Sequence, residues 1–408
     1  MSKSRVVAAM SGGVDSCVAA ALLKEQGYDV VGITMQLWNH GESGDARFDS
    51  CCSLTDVHDA RVAADKLGIP HYVVNYEREF KSGVVDYFAA EYAQGRTPNP
   101  CVMCNSKLKF DHLMERALAL GADWVATGHY ARVVHHAEAP NQPLKPSELY
   151  VGRDPTKDQS YFLFDMRPEN LRRAMFPLGE LTKVEVRAIA TRLGLHTAAK
   201  HESQEICFVT GGRYSDFLEK HYPEMTTDRG GEIVDRAGTV LGRHDGIHLF
   251  TVGQRKGLGA LGHAPKYVAS IDAATNRVTV DDLANLAVAG FAVAKVNWLV
   301  PTTNITSRVL QVMVRYRAKT VACRVVPQAD GSWQVLLDAK ARWVTPGQAA
   351  VFYDQDQVIG GGFITNDKFE EFGRPADAGS ARASTAQAPQ SSGLRQPLAR
   401  TPEDLRAP

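Results

Sequence analysis

The chain has 408 residues, 44% of them hydrophobic and 23% charged, enough to bury a sizeable core and to divide into two or three domains. Lysine plus arginine and aspartate plus glutamate stand at 46 each, so net charge argues neither for nor against a nucleic-acid partner. An RNA site would have to be a local basic patch. The opening MSKSRVVAAM has no signal-peptide pattern and no apolar run of about 18 residues occurs, which argues against secretion or membrane spanning and for a cytoplasmic protein.

In chain order, RVVAAM at 5–10 reads as a buried strand and Ser11 to Ser16 as a loop. Cys17 to Gln26 reads as a helix ended by Gly27, and Asp29 to Met35 as a second strand. The alternation continues with a helix from Asp56 to Leu67, a strand at 71–76, a helix from Glu79 to Gln94, a helix starting near Lys107 and a strand at 124–129. This pattern predicts an α/β fold, a doubly wound parallel sheet. Thr182 and Glu185 match a capping box for a further helix running to Gly194.

From about Gly212 the texture changes to short strands and glycine turns, including GGEIVD at 230–235 and FTVGQRKGLG at 250–259. From about Phe291 to Thr365, segments such as VNWLV, WQVLLDA and AAVFYD alternate in strand fashion, with a hairpin signal at Asp330-Gly331. They predict a small antiparallel barrel. The expected division is a catalytic domain over 1–211, a small β-rich central domain over 212–288, a C-terminal β-barrel over 289–368 and a disordered tail over 369–408.

Ser11-Gly12-Gly13-Val14-Asp15-Ser16 lies between a strand and a helix, where glycines and helix N–H groups can cradle phosphate. It is not a Walker A loop, since GxxxxGK[ST] is absent and no lysine follows the glycines. SGGVDS in this context resembles the pyrophosphate loop of the N-type ATP pyrophosphatases, which adenylate a carbonyl or carboxylate oxygen and release pyrophosphate.

The seven cysteines are Cys17, Cys51, Cys52, Cys101, Cys104, Cys207 and Cys323. They are too few for a disulfide scaffold, and free thiols are the default. Cys101 and Cys104 fall in a proline-stiffened loop ahead of the helix near Lys107, whose dipole would favour a thiolate. Zinc on Cys101-x-x-Cys104 with Cys51-Cys52, and a redox CxxC, are the alternatives. Adjacent cysteines are awkward as paired ligands, and no thioredoxin-like context surrounds the CxxC.

TPNPCVMCNSKLKF, ATGHYAR, KDQSYFL, ESQEICFV and FTVGQRKGLG together resemble signature segments of the bacterial tRNA-specific 2-thiouridylase family, in the family's order, over nearly all of residues 5–365. The resemblance implies an adenine nucleotide alpha hydrolase-like first domain and ATP as substrate, with Mg²⁺ accompanying it and no tightly bound protein metal. It makes Cys104 the nucleophile and Cys207 the persulfide carrier, which would pair in a transient disulfide. Nucleotide contacts fall on Ala9, Met10, Ser11, Gly12, Gly13, Val14, Asp15, Ser16, Met35 and Gly128.

The same resemblance places tRNA contacts at Asn99, Pro100, Cys101, His129, Lys157, Asp158, Gln159, Arg315, Tyr316 and Gln348. It implies the anticodon arm of tRNAs for Lys, Glu and Gln as partner, and a persulfide sulfur-donor protein. The activity implied is adenylation of the wobble uridine's 2-oxygen followed by sulfur transfer. Where many relatives have Asp after Asn-Pro, this chain has Cys101, so no carboxylate acid or base is available there. A small-molecule ligase or amidotransferase is the rival, and a non-catalytic RNA-binding module is weaker still.

Overall fold

The computed structural model describes residues 3–38, 54–136, 145–201, 206–209, 212–227, 230–259 and 264–366. The first sheet begins with β1 (Arg5–Ala9), β2 (Asp29–Gln36), β3 (His71–Asn75) and β4 (Trp124–Ala126). A hairpin of β5 (Ala131–Val134) and β6 (Glu148–Val151) then leaves it, and β7 (Ala174–Met175) returns to flank β4. The strand order is β3-β2-β1-β4-β7, with every pairing parallel.

Helices cover both faces. Val6 and Ala8 of β1 pack with Val18 and Leu23 of α1 (Val14–Glu25) and with Ala60 and Ala63 of α2 (Leu54–Leu67). Val7 points the other way, into a cluster with Phe80, Phe88, Leu108 and Leu113. These come from α3, a continuous helical run over 77–93, and α4, another over 100–119, each interrupted by a π-helical stretch. Val6, Val7 and Ala8 are all buried, as a strand sandwiched between two helical layers requires.

The element boundaries differ from the sequence reading in instructive ways. Gly13, extended, caps α1, so Val14, Asp15 and Ser16 form its first turn rather than loop. Pro100 opens α4 with its ring at the first helical position, where no N–H is needed. The helix expected near Lys107 therefore starts before both cysteines, and they lie on it, not in a loop. The strand at 124 stops at Ala126, leaving Thr127 to His129 beyond its carboxyl end.

Further along, the capping box is present at α5 (Lys183–Arg192), with the Thr182 hydroxyl accepting from the Glu185 N–H. Where only strands and turns were expected after Gly212, α6 (Tyr214–His221) forms and buries Phe217 and Leu218. Next come β8 (Gly231–Val234), β9 (Val240–His244), β10 (Tyr267–Asp272) and β11 (Arg277–Asp281), in a sheet ordered β10-β11-β8-β9. FTVGQRKGLG holds turns, not strand.

The last sheet comprises β12 (Val288–Trp298), β13 (Leu310–Met313), β14 (Val321–Pro327), β15 (Trp333–Ala341), β16 (Ala349–Asp354) and β17 (Gln357–Ile364). All pairings are antiparallel, and β12 bonds to both β15 and β17, which closes the barrel. One edge of β17 is shared: Gly360 to Ile364 pair with β12, while Gln357 and Val358 pair with β6. The β5–β6 hairpin, emitted by the first sheet, is thus stitched into the barrel. Among the described residues, no helix is long and apolar enough to cross a membrane.

Candidate functional site

In an open parallel sheet the crevice lies outside the carboxyl ends of the strands, where the order reverses. Here that point falls between β1 and β4. A cavity of about 400 Å³ opens there, lined by Ala9 to Ser11 and Gly13 to Ser16 from the glycine loop, by Met35 from the end of β2 and by Gly128 and His129 from beyond β4. Cys101, Cys104 and Cys207 are on its wall as well, with Pro100, Gln159 and Phe162. Cys104 begins the π-helical stretch of α4, which widens the helix at the cavity wall.

Two glycines are required by the backbone. Gly12 sits at φ +73, and a Cβ there would lie 2.1 Å from the Asp56 carbonyl oxygen at the start of α2. Gly128 brings the β4 end against α1 so closely that a Cβ would stand 2.7 Å from the Ser16 nitrogen and 2.8 Å from the Asp15 carbonyl carbon. Neither neighbour is a side chain that could swing away. The loop is further tied by the Ser16 hydroxyl, which accepts from the Ser11 N–H at 3.1 Å and donates to the Gly13 carbonyl at 3.0 Å.

Asp15 has its carboxylate fixed from behind. Lys183 donates to both oxygens at 2.8 Å, and the Tyr130 hydroxyl donates to Oδ1 at 2.7 Å. Lys200 meets the loop from the side: its Nζ donates to the Gly12 carbonyl at 3.1 Å, to Asp56 at 2.6 Å and to Asp59 at 2.5 Å. Sequence reasoning missed both lysines, because nothing local links Lys183 to Asp15 or Lys200 to Gly12. The capping box did locate the helix that presents Lys183.

Cys207 and Cys104 are both partly buried, and Cys101 is exposed. Phe208 anchors the segment next to Cys207, its ring 5.7 Å from Phe80, 5.3 Å from Phe88 and 5.2 Å from Phe217. Cys17 and Cys323 are buried free thiols. Burial pushes Cys17 up to about 11 and Cys323 up to about 12, in keeping with structural thiols. Cys51 and Cys52 lie outside the described residues.

His129 is buried, its Nδ1 2.7 Å from the Thr127 hydroxyl and its Nε2 3.5 Å from Lys109. Burial first, then the Lys109 charge, holds its pKa well below the usual imidazole range, so the ring is neutral. Burial likewise lowers His71, His135 and His244. The unfolded chain takes up these protons below about pH 6.5 while the folded chain does not. Stability is therefore full above that pH and declines as pH falls through it. Urea midpoints measured from pH 7.5 to 5.5 should drop, and less steeply for His129→Gln; a flat profile would contradict this.

Of the remaining sequence-predicted residues, Gln159 lines the cavity and the others surround it. Asn99 is buried just ahead of α4. The Asp158 carboxylate is turned into its own loop, accepting from the Gly152 N–H at 2.8 Å and the Ser160 hydroxyl at 2.9 Å; burial raises it despite those bonds. Gln159 accepts from the Tyr130 N–H at 3.0 Å. Lys157 is half-buried and Arg315 is exposed.

Tyr316 donates to the Asp158 carbonyl at 2.9 Å and packs on Phe162, centroids 4.4 Å apart. Gln348 donates to the Thr97 carbonyl at 2.9 Å, and the Thr97 N–H donates to Pro346 at 2.8 Å. These two barrel residues brace the cavity wall and the approach to the cysteine helix, a role the sequence reading did not foresee. Asn105, beside Cys104 and also lining the cavity, was missed as well; its Nδ2 donates to the Phe162 carbonyl at 3.3 Å.

Comparison with known proteins agrees with this layout. Family models described as a tRNA methyl transferase HUP domain, a tRNA methyl transferase PRC-barrel domain and an aminomethyltransferase beta-barrel domain match residues 4–211, 215–282 and 288–364. A tRNA-specific 2-thiouridylase of Geotalea uraniireducens is 50% identical over 366 residues, covering 89% of this chain and 95% of the relative. One of Magnetococcus marinus is 50% identical over 360 residues, covering 88% and 98%. A solved 4-thiouridine synthetase–RNA complex with bound ATP is 17% identical, with a TM-score of 0.32 over 54% of this chain and 51% of that one, too distant to inform function. The near end-to-end identity with curated relatives settles the family: the chain belongs to the tRNA-specific 2-thiouridylases, which are tRNA sulfurtransferases.

Proposed function

We propose that this protein carries out ATP-dependent 2-thiolation of the wobble uridine of tRNA, acting in the cytoplasm on the Lys, Glu and Gln isoacceptors. The observation that carries the reading is one cavity shared by the glycine loop, Cys104 and Cys207. A uridine carbonyl oxygen is a poor leaving group and AMP a good one, so a phosphate cradle beside two thiols has a chemical rationale. The methyl-transfer wording of two family models gives no use to this pairing, and the reading follows the curated relatives instead.

In the proposed sequence the uridine 2-oxygen attacks the α-phosphorus of ATP and pyrophosphate leaves. Terminal sulfur of a persulfide on Cys207, supplied by a persulfide donor, then attacks C2 and AMP leaves. The Cys104 thiolate attacks Sγ of Cys207. The sulfur–sulfur bond breaks, its electron pair stays on the sulfur now bound to C2, and a Cys104–Cys207 disulfide forms. A cellular thiol reductant restores both thiols.

The loop from Ala9 to Ser16 cradles the polyphosphate, with Met35 at the adenine and Gly128 beside the nucleotide. When Mg²⁺ accompanies ATP, Asp15 and Asp56 are the carboxylates of the cavity wall near the loop; the ion neutralises phosphate charge. Asn99, Pro100 and Cys101 hold the extruded base, with His129 and Gln159 at the same wall. Lys157, Asp158, Arg315, Tyr316 and Gln348 form the tRNA-facing rim. This assigns catalysis to 1–211, with the central domain at 212–288 and the barrel at 289–368.

Trapping tests the thiol roles. Protein loaded with persulfide and given ATP and tRNA for one turnover, without reductant, should yield a Cys104–Cys207 linkage in its peptide map. Thiolated tRNA appearing with both cysteines still reduced would rule out this use of Cys104.

A further inference from the structure

We propose that Lys200 is the lysine that grips the polyphosphate of ATP, held on Asp56 and Asp59 until nucleotide arrives. The inference rests on the ATP reading above and adds a binding residue to it. The glycine loop carries no lysine of its own, unlike a Walker A loop. Backbone N–H groups and a helix dipole alone supply only partial charges against a polyphosphate. Among the described residues lining the cavity, the lysines are Lys109 and Lys200. Lys109 stands beside His129, toward the thiol side, whereas Lys200 touches the loop itself through the Gly12 carbonyl.

The ammonium of Lys200 has three N–H donors, and its bonds to the Gly12 carbonyl, Asp56 and Asp59 use all three. Asp59 is shared with His196 at 3.0 Å. Burial lowers the lysine, but the two carboxylates outweigh it and raise its pKa overall, so it stays charged. Its side chain is 29% exposed, enough to swing from a carboxylate to a phosphate across the cavity without leaving the loop. Exchanging one charge-assisted bond for another keeps the ammonium paired in both states. A lysine in this position would act on the β- and γ-phosphates, not on the adenosine end.

Equilibrium binding of ATP and AMP to wild type, Lys200→Gln and Lys200→Arg tests this. Lys200→Gln should weaken ATP by about tenfold or more while AMP changes by less than about twofold, and Lys200→Arg, which keeps the charge, should hold ATP within a few-fold. Equal weakening of ATP and AMP, or no change in either, would overturn the assignment. If Lys200→Gln fails to fold, Lys200→Met takes its place with inorganic pyrophosphate as competitor: weakened pyrophosphate competition with AMP binding intact supports the role, and unchanged competition overturns it. Wild type failing to bind ATP at all would instead remove the ATP reading on which this rests.

Discussion

Cys207→Ser should lower 2-thiouridine formation by a factor on the order of 10³ or more, with ATP affinity nearly unchanged. The serine hydroxyl cannot carry a persulfide, so sulfur delivery stops, while the loop and the uridine pocket remain. Pyrophosphate release on tRNA should therefore survive in this variant, because adenylation precedes sulfur transfer. Cys104→Ser should block a later step: persulfide still loads on Cys207, yet turnover stalls. Measuring 2-thiouridine, pyrophosphate and bound persulfide separately distinguishes the two. Full thiolation by Cys207→Ser with a persulfide donor would refute the sulfur route.

The second large effect concerns the loop's hidden support. Lys183 donates to both carboxylate oxygens of Asp15, and its side chain is 10% exposed against 30% for Asp15. Lys183→Met should leave the carboxylate with Tyr130 alone among these partners. Breaking a buried ion pair costs about 3–5 kcal/mol, and the solvent reaching Asp15 puts this case near the lower end. The thermal midpoint should fall, and ATP binding should weaken because Asp15 belongs to the first turn of α1. Lys183→Met/Asp15→Asn, which removes the orphaned charge, should recover much of the stability. A double variant no better than the single one would show that the pair does not carry this energy.

The sequence made the parallel layers legible because buried strands and amphipathic helices alternate with clear punctuation, and the capping box at Thr182 was correctly read. Local signals failed where structure depends on distant partners. The sequence reading puts Cys101 and Cys104 in a proline-stiffened loop ahead of the helix, whereas Pro100 itself starts that helix. The β5–β6 hairpin gains its place only by pairing with Gln357 and Val358, which no local pattern discloses. At the site, the glycine loop and the cysteines were visible as motifs. Lys183 and Lys200 were not, because each bonds to a loop far away in sequence. Gln348 and Tyr316 were read for RNA, and their bonds to Thr97 and Asp158 emerge only from the packed barrel.

The most direct test of the central claim is a reconstituted reaction of purified protein with ATP, Mg²⁺, tRNA and a persulfide donor, following 2-thiouridine and pyrophosphate together. Both products are expected in equal amounts, each dependent on ATP and tRNA. Thiolation without ATP, or pyrophosphate released on a small substrate in the absence of tRNA, would contradict it.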